Sequence, residues 1–134
     1  TLAPERGRAA RRIVDAMVAW PELVAGTERV CTTLMRAGLG RVAVKTGAEA
    51  AYAAIVPGHG LGIALKIDDG AGRAAETTIA FLLDRMGLVD REAVAEIVNP
   101  AVKNTRNARV GERRPAPALL DAPLPDLSAR AAAQ

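Results

Sequence analysis

Leu61-Gly62-Ile63-Ala64-Leu65-Lys66-Ile67-Asp68 decides how this chain folds. Leu61, Ile63, Leu65 and Ile67 fall on one side of an extended backbone, and Gly62, Ala64, Lys66 and Asp68 fall on the other. That period of two is the mark of a strand with one dry face and one wet face. Immediately before it stands Pro57-Gly58-His59-Gly60, a turn sequence placed where two antiparallel strands would be joined. Ala50 to Val56 then reads as the partner strand, although its alanines would suit a helix equally well. One step further back, Arg41 to Thr46 alternates too, with Val42, Val44 and Thr46 on one face and Arg41, Ala43 and Lys45 on the other. Together the three segments predict an antiparallel three-stranded meander.

Helices flank the meander in sequence, so the expected class is α+β. From Pro4 to about Trp20, Ala9, Ile13, Met17 and Trp20 recur at helical spacing until Pro21 stops the run. Thr27 is placed to cap a shorter helix, which pairs Val30 with Leu34 and Cys31 with Met35 before Gly38 and Gly40 end it. After Asp68-Asp69-Gly70, the stripe Ala75, Thr78, Ile79, Leu82 and Met86 predicts a long helix lying on the aliphatic face of the sheet and ended by Gly87. Asp90 is a cap for one more helix reaching Asn99-Pro100, and Arg109 to Glu112 offers a fourth, edge strand. Residues 1–114 thus read as one structured segment. Residues 115–134, rich in Ala and Pro and without a usable period, read as a flexible tail.

A chain of 134 residues, half of them apolar, can bury about two-thirds of the surface it exposes when unfolded. Only Trp20, Tyr52 and Phe81 are aromatic, so Ala, Val, Leu and Ile must build the core through close helix–sheet contact. The net charge of +3 comes from arginines spread over the first helix and over Arg106 to Arg114. Without a dense basic stripe or stacking aromatics, no nucleic-acid partner is expected. Neither a signal peptide nor an uninterrupted apolar span is visible, so no membrane partner is expected either. Cys31 is the lone cysteine, which excludes a disulfide within one chain and favours a reducing cytoplasm.

The chemistry is concentrated in Lys45-Thr46-Gly47. A strand ending this way can offer an ammonium and a hydroxyl to a substrate carboxylate, while the glycine lets backbone approach a reacting carbonyl. The plain alternative for Lys45 is a solvated lysine that guards a sheet edge against aggregation. Cys31, in the first turn of its helix, is either a thiol activated by the helix dipole or a small buried hydrophobe near Met35. His59 is the sole histidine and the sole base for a Cys31–His59 dyad, but its place at a turn suits a solvated ring better. Thr1 is conceivable as an N-terminal nucleophile. Asp68, Asp69 and Glu76 match no cation loop and read more simply as a helix-capping group, so no metal site is expected in this chain. The nucleophile that a Lys-Thr-Gly strand normally serves is a serine with a lysine three residues later. Here the only serine is Ser128, and no Ser-x-x-Lys occurs.

Val44-Lys45-Thr46-Gly47-Ala48-Glu49, followed by Gly60 to Gly70 and by Arg73-Ala74, resembles the second half of the bacterial type II L-asparaginases, the rhizobial-type enzymes. Ala10 to Met17, Pro21 to Thr27 and Val110-Gly111-Glu112 extend the similarity to roughly residues 3–114. The resemblance implies the fold of the C-terminal part of a serine β-lactamase-like or penicillin-binding-protein-like domain. It also implies hydrolysis of L-asparagine to L-aspartate and ammonia through a serine acyl-enzyme, with a zinc on cysteine and lysine ligands in the family's other half. No cofactor is implied for this half. Lys45 would be the catalytic lysine and Cys31 the cysteine beside the site, with Thr46, Gly47, Ala48 and Glu49 at the substrate and the Ala48 N–H helping to form an oxyanion hole. Glu49 could be a loop anchor instead. Ala50 departs from the family, which more often has glycine there.

The expectation is therefore a C-terminal segment of an L-asparaginase-like amidohydrolase, inactive alone. It would take asparagine or a similar amide only when completed by an N-terminal half or within a homo-oligomer. The alternative is a non-catalytic interaction domain from a truncated gene.

Overall fold

In the computed structural model, which describes residues 3–128, alternation along the strands is what closes the core. β1 (Ala43–Thr46), β2 (Ala51–Val56) and β3 (Leu61–Lys66) form the expected antiparallel meander in the order β1-β2-β3. The register sets Thr46 opposite Tyr52 and Val44 opposite Ala54, and it sets Tyr52, Ala54 and Val56 opposite Leu65, Ile63 and Leu61. One face therefore carries Val44, Tyr52, Ala54 and Val56, all buried, together with the half-buried Leu61, Ile63 and Leu65. On the other face Lys45, Ala53, Ile55, Gly62, Ala64 and Lys66 are exposed, while Ala43 at the start of β1 is buried.

Two helices cover the buried face. α3 (Val30–Ala37) packs against β1, and α4 (Gly72–Arg85) packs against β2 and β3. Leu34, Met35, Ile79 and Leu83 are fully buried in that layer. Each contributes roughly 1.5–3 kcal/mol relative to leaving it in water. α5 (Arg91–Val98) lies against α3 and α4, and its Val94 joins the core. The Asp90 carboxylate accepts the Ala93 N–H at 2.9 Å, so this helix has the cap expected of it.

Several elements differ in detail. α1 (Pro4–Ala19) ends as expected, but Pro21 also opens a short helix, α2 (Pro21–Ala25), because a missing N–H and a fixed φ suit a first helical position. α1 turns inward Ala10, Val14, Met17 and Val18, leaving Ile13 and Trp20 exposed at 62% and 64%. A helix with two apolar stripes about 100° apart has its packing face chosen by its neighbours, here α2 and β1, not by its own pattern. Thr27 caps nothing. Arg29 is the residue before α3, and the Thr32 hydroxyl ties the helix to the preceding loop by donating to the Gly26 carbonyl at 2.6 Å. α4 is rotated from the expected stripe toward Ala75, Ile79, Leu83 and Met86, with Thr78 and Leu82 only half-buried.

The strand at β5 (Arg109–Glu112) exists, but it pairs with β4 (Ala101–Lys103) in a separate two-stranded ladder and does not extend the meander. The segment from Pro115, expected as a loose tail, forms α6 (Pro117–Leu120) and then returns to the body. Leu127 is buried and its N–H donates to the Met86 carbonyl at 2.9 Å. The rest of the expected tail, 129–134, lies outside the described residues, as does Thr1.

That return depends on Gly87. Its φ of +69° is a conformation that penalises a side chain, and a Cβ there would stand 2.6 Å from Ser128 Cβ. Gly87→Ala is expected to lower stability by about 2 kcal/mol in urea denaturation, from the left-handed backbone alone. A change under about 0.5 kcal/mol, the size of an ordinary surface substitution, would contradict this packing.

Candidate active site

Four consecutive residues, Gly47 to Ala50, connect β1 to β2 and set the rim on which the candidate residues stand. The Gly47 N–H donates to the Ala51 carbonyl at 2.8 Å, and the Ala51 N–H donates back to Ala48 at 3.2 Å. Closing so short a loop forces Glu49 and Ala50 both to φ +55°. Ala50 is thus held where glycine would sit without strain, at a cost of roughly 1–2 kcal/mol. Ala48 is exposed, and among the described residues its N–H has no acceptor.

Glu49 leans across to the turn that follows β3. Its Oε2 would lie 3.1 Å from a Cβ placed on Gly70, whose φ of +73° and bare Cα leave room for it. With the Ile67 N–H donating to the Ala50 carbonyl at 3.3 Å, the β1–β2 loop and the 67–70 turn hold each other in place. Glu49 itself is exposed.

Lys45 and Thr46 part company at the end of β1. Lys45 lies on the exposed face opposite Ala53, and its Nζ donates to the Thr46 carbonyl at 2.9 Å. Thr46 takes the inward position opposite Tyr52. There Tyr52 is buried, and Cys31, at 1% exposure, comes up to it from α3. The phenol is pushed above its ordinary value, first by burial and then by the neighbouring Cys31 thiol, while the Thr46 hydroxyl pulls the other way. Glu76 of α4 adds a smaller push in the same direction as burial.

The structure therefore separates Lys45 from Cys31 by the thickness of the sheet, and it joins Cys31 to Thr46 and Tyr52. Tyr52 was not among the residues expected at the site. Its signal was present in the alternation: Thr46 and Tyr52 are the last and first inward positions around one tight loop, which makes them cross-strand neighbours. A Cys31–His59 dyad does not form. Cys31 lies at the Tyr52 end of β2, whereas His59 ends the single 3-10 turn Pro57–His59 beyond Val56. Four strand residues, about 13 Å, lie between those ends. Both ring nitrogens of His59 are buried without a partner.

Asp69 does not cap α4. Its Oδ1 accepts the Ala71 N–H at 2.9 Å and closes the turn ahead of the helix, whose first flanking residue is Ala71. Among the described residues no group of three His, Cys, Asp or Glu side chains is placed to hold a metal ion.

The L-asparaginase II family model matches residues 1–115, which takes in the meander, the helices that cover it and the rim just described, but not the docked Leu127. The chain belongs to the L-asparaginase II family. No curated protein sequence matches it. Within this member of the family, the β1–β2 rim presents an exposed lysine on one face, a backbone N–H with no acceptor among the described residues at the loop, and on the other face the half-buried Thr46 beside the buried Tyr52 and Cys31.

Tyr52 is the single tyrosine, so its titration can be followed by tyrosinate absorbance. Because the folded chain holds this proton more tightly than the unfolded chain, its contribution is complete below about pH 10 and is lost as pH rises further. Stability is expected to fall above about pH 10 by up to ~1.4 kcal/mol per pH unit, with absorbance near 295 nm appearing only as the chain unfolds. Tyrosinate forming at about pH 10 in the folded chain would contradict the buried contact.

Proposed function

We infer that this chain supplies one wall of an amide-hydrolysing site, with L-asparagine as the substrate class, and that it is inactive by itself. The reading is supported by the family match and, most directly, by the rim: Lys45 and Ala48 stand exposed, and the sequence holds no Ser-x-x-Lys to serve them. The fold of the family's β-lactamase-like relatives would place a Ser-x-x-Lys segment opposite such a rim.

In that arrangement a serine hydroxyl attacks the side-chain amide carbon, ammonia leaves with the proton taken from the hydroxyl, and water then cleaves the acyl-enzyme to aspartate. Lys45 would leave the Thr46 carbonyl and offer its ammonium to the substrate carboxylate or to the nucleophile. The Ala48 N–H would donate to the oxyanion, which develops only in the tetrahedral state. Loss of a nucleophile costs on the order of 10⁶ in turnover, so the wall alone retains residual electrostatic catalysis at most.

Purified chain with L-asparagine is expected to release no ammonia above buffer. Adding a family segment that carries Ser-x-x-Lys is expected to give turnover that Lys45→Met abolishes. Turnover of order 10 s⁻¹ by the chain alone would overturn the reading.

A second reading, a non-catalytic interaction domain forming a homo-oligomer, is favoured by one specific observation. Ile13, Trp20 and Leu23 remain 62%, 64% and 84% exposed, and β1 and β3 are both open edges. Analytical ultracentrifugation decides it: a self-associated species at micromolar concentration supports this reading, and a monomer persisting to about 100 μM counts against it.

A further inference from the structure

Arg113 stands where three clefts meet. It follows β5 directly, its backbone N–H donates to the Pro100 carbonyl at 3.1 Å, and the residue is half-buried. With Arg73 from the first turn of α4 it lines an open cleft of ≈ 530 Å³ whose remaining lining is Ala101 and Val102. No carboxylate lines this cleft. The volume lies within the range of small-molecule sites, about 300–1,000 Å³.

The two guanidinium groups have no acidic partner among the described residues. Arg36, Arg91 and Arg109 are ion-paired, with Glu22, Asp84 and Glu112. Glu112, the sequence neighbour that could neutralise Arg113, is held by Arg109 at 2.6 Å. Arg73 and Arg113 make no such pair. Arg73 is exposed, whereas Arg113, half-buried over Ala101 and Val102, has lost water on one side without forming an ion pair, so its best partner is an external anion. Guanidinium groups bind planar pairs of oxygens through two parallel hydrogen bonds, and two cations facing one cleft favour a dianion over a monoanion. Lys103, Arg106 and Arg114 are exposed on the same hairpin and its exit, and they add attraction at longer range.

We propose that the cleft between α4 and the β4–β5 hairpin binds a small phosphate-bearing ligand through Arg73 and Arg113. No residue of the rim proposed for amide hydrolysis lines it, so the two ideas stand or fall separately. Glu76 and Glu96 line the neighbouring cleft of ≈ 160 Å³ together with Arg113, and they compete with the ligand for its guanidinium. Removing one of those charges should therefore strengthen binding.

The test is titration of the full chain with inorganic phosphate and with phenyl phosphate at fixed ionic strength in chloride, followed by amide NMR shifts and calorimetry. Saturable binding is expected, with shifts centred on residues 73, 101, 102 and 113. Arg113→Gln should weaken it at least about tenfold with the fold intact by circular dichroism. Glu96→Gln should tighten it, and Arg8→Gln, the same charge loss on α1, should leave it unchanged. The proposal is overturned by any of four results: no saturation below about 10 mM, equal affinity in Arg113→Gln, tighter binding of succinate than of phosphate, or binding only to a single-stranded oligonucleotide that Arg8→Gln weakens as much as Arg113→Gln does.

Discussion

Contact between the aliphatic face of the meander and the helices α3 and α4 is the constraint on which the remaining structure depends. With so few aromatic side chains, the core has no large plates to span gaps, and Val, Leu, Ile and Ala must meet at close range. That requirement fixes the rotation of α4, which turns Ala75, Ile79 and Leu83 into the core and leaves the buried Phe81 off that stripe. It also fixes strand register, because a slip of one residue would exchange Val44 and Ala54 for Lys45 and Ala53. The chemistry of the β1–β2 loop follows from that register. Lys45 must face out if Val44 and Thr46 face in.

Most of the fold was legible wherever a pattern had a single solution. The period of two in Leu61 to Asp68 and in Arg41 to Thr46 admits one pairing of faces, and Pro57 to Gly60 places the turn. Asp90 could be recognised as a cap because a carboxylate before Glu92-Ala93-Val94 has few other local roles. The differences arose where a pattern had two solutions. α1 carries two apolar stripes, and only its neighbours choose between them. Leu127 looked like one apolar residue in a run of Pro and Ala; its docking depends on Gly87, forty positions earlier, lacking a side chain. The partner of Arg109 to Glu112 is a three-residue strand too short to show any alternation.

Of the candidate site, the sequence shows the β1–β2 loop and not the grouping of side chains around it. Lys45 and Thr46 point to opposite faces of β1, and Ala50, where the family more often has glycine, is a left-handed residue. Cys31 is the small buried residue near Met35 that its helical spacing allowed, and what the sequence did not show is its place beside Tyr52 and Thr46. The Glu49 carboxylate lies beside Gly70 in the turn after β3.

The separation of Lys45 from Cys31 by the sheet is the claim most directly open to measurement, by competitive labelling of the native chain with an amine reagent and a thiol reagent, read by mass spectrometry. The account predicts that Lys45 is modified as readily as the exposed Lys66 and Lys103, while Cys31 stays protected until denaturant is added. A Cys31 thiol that reacts in the folded chain like a free thiol, alongside a Lys45 amine that resists, would contradict it.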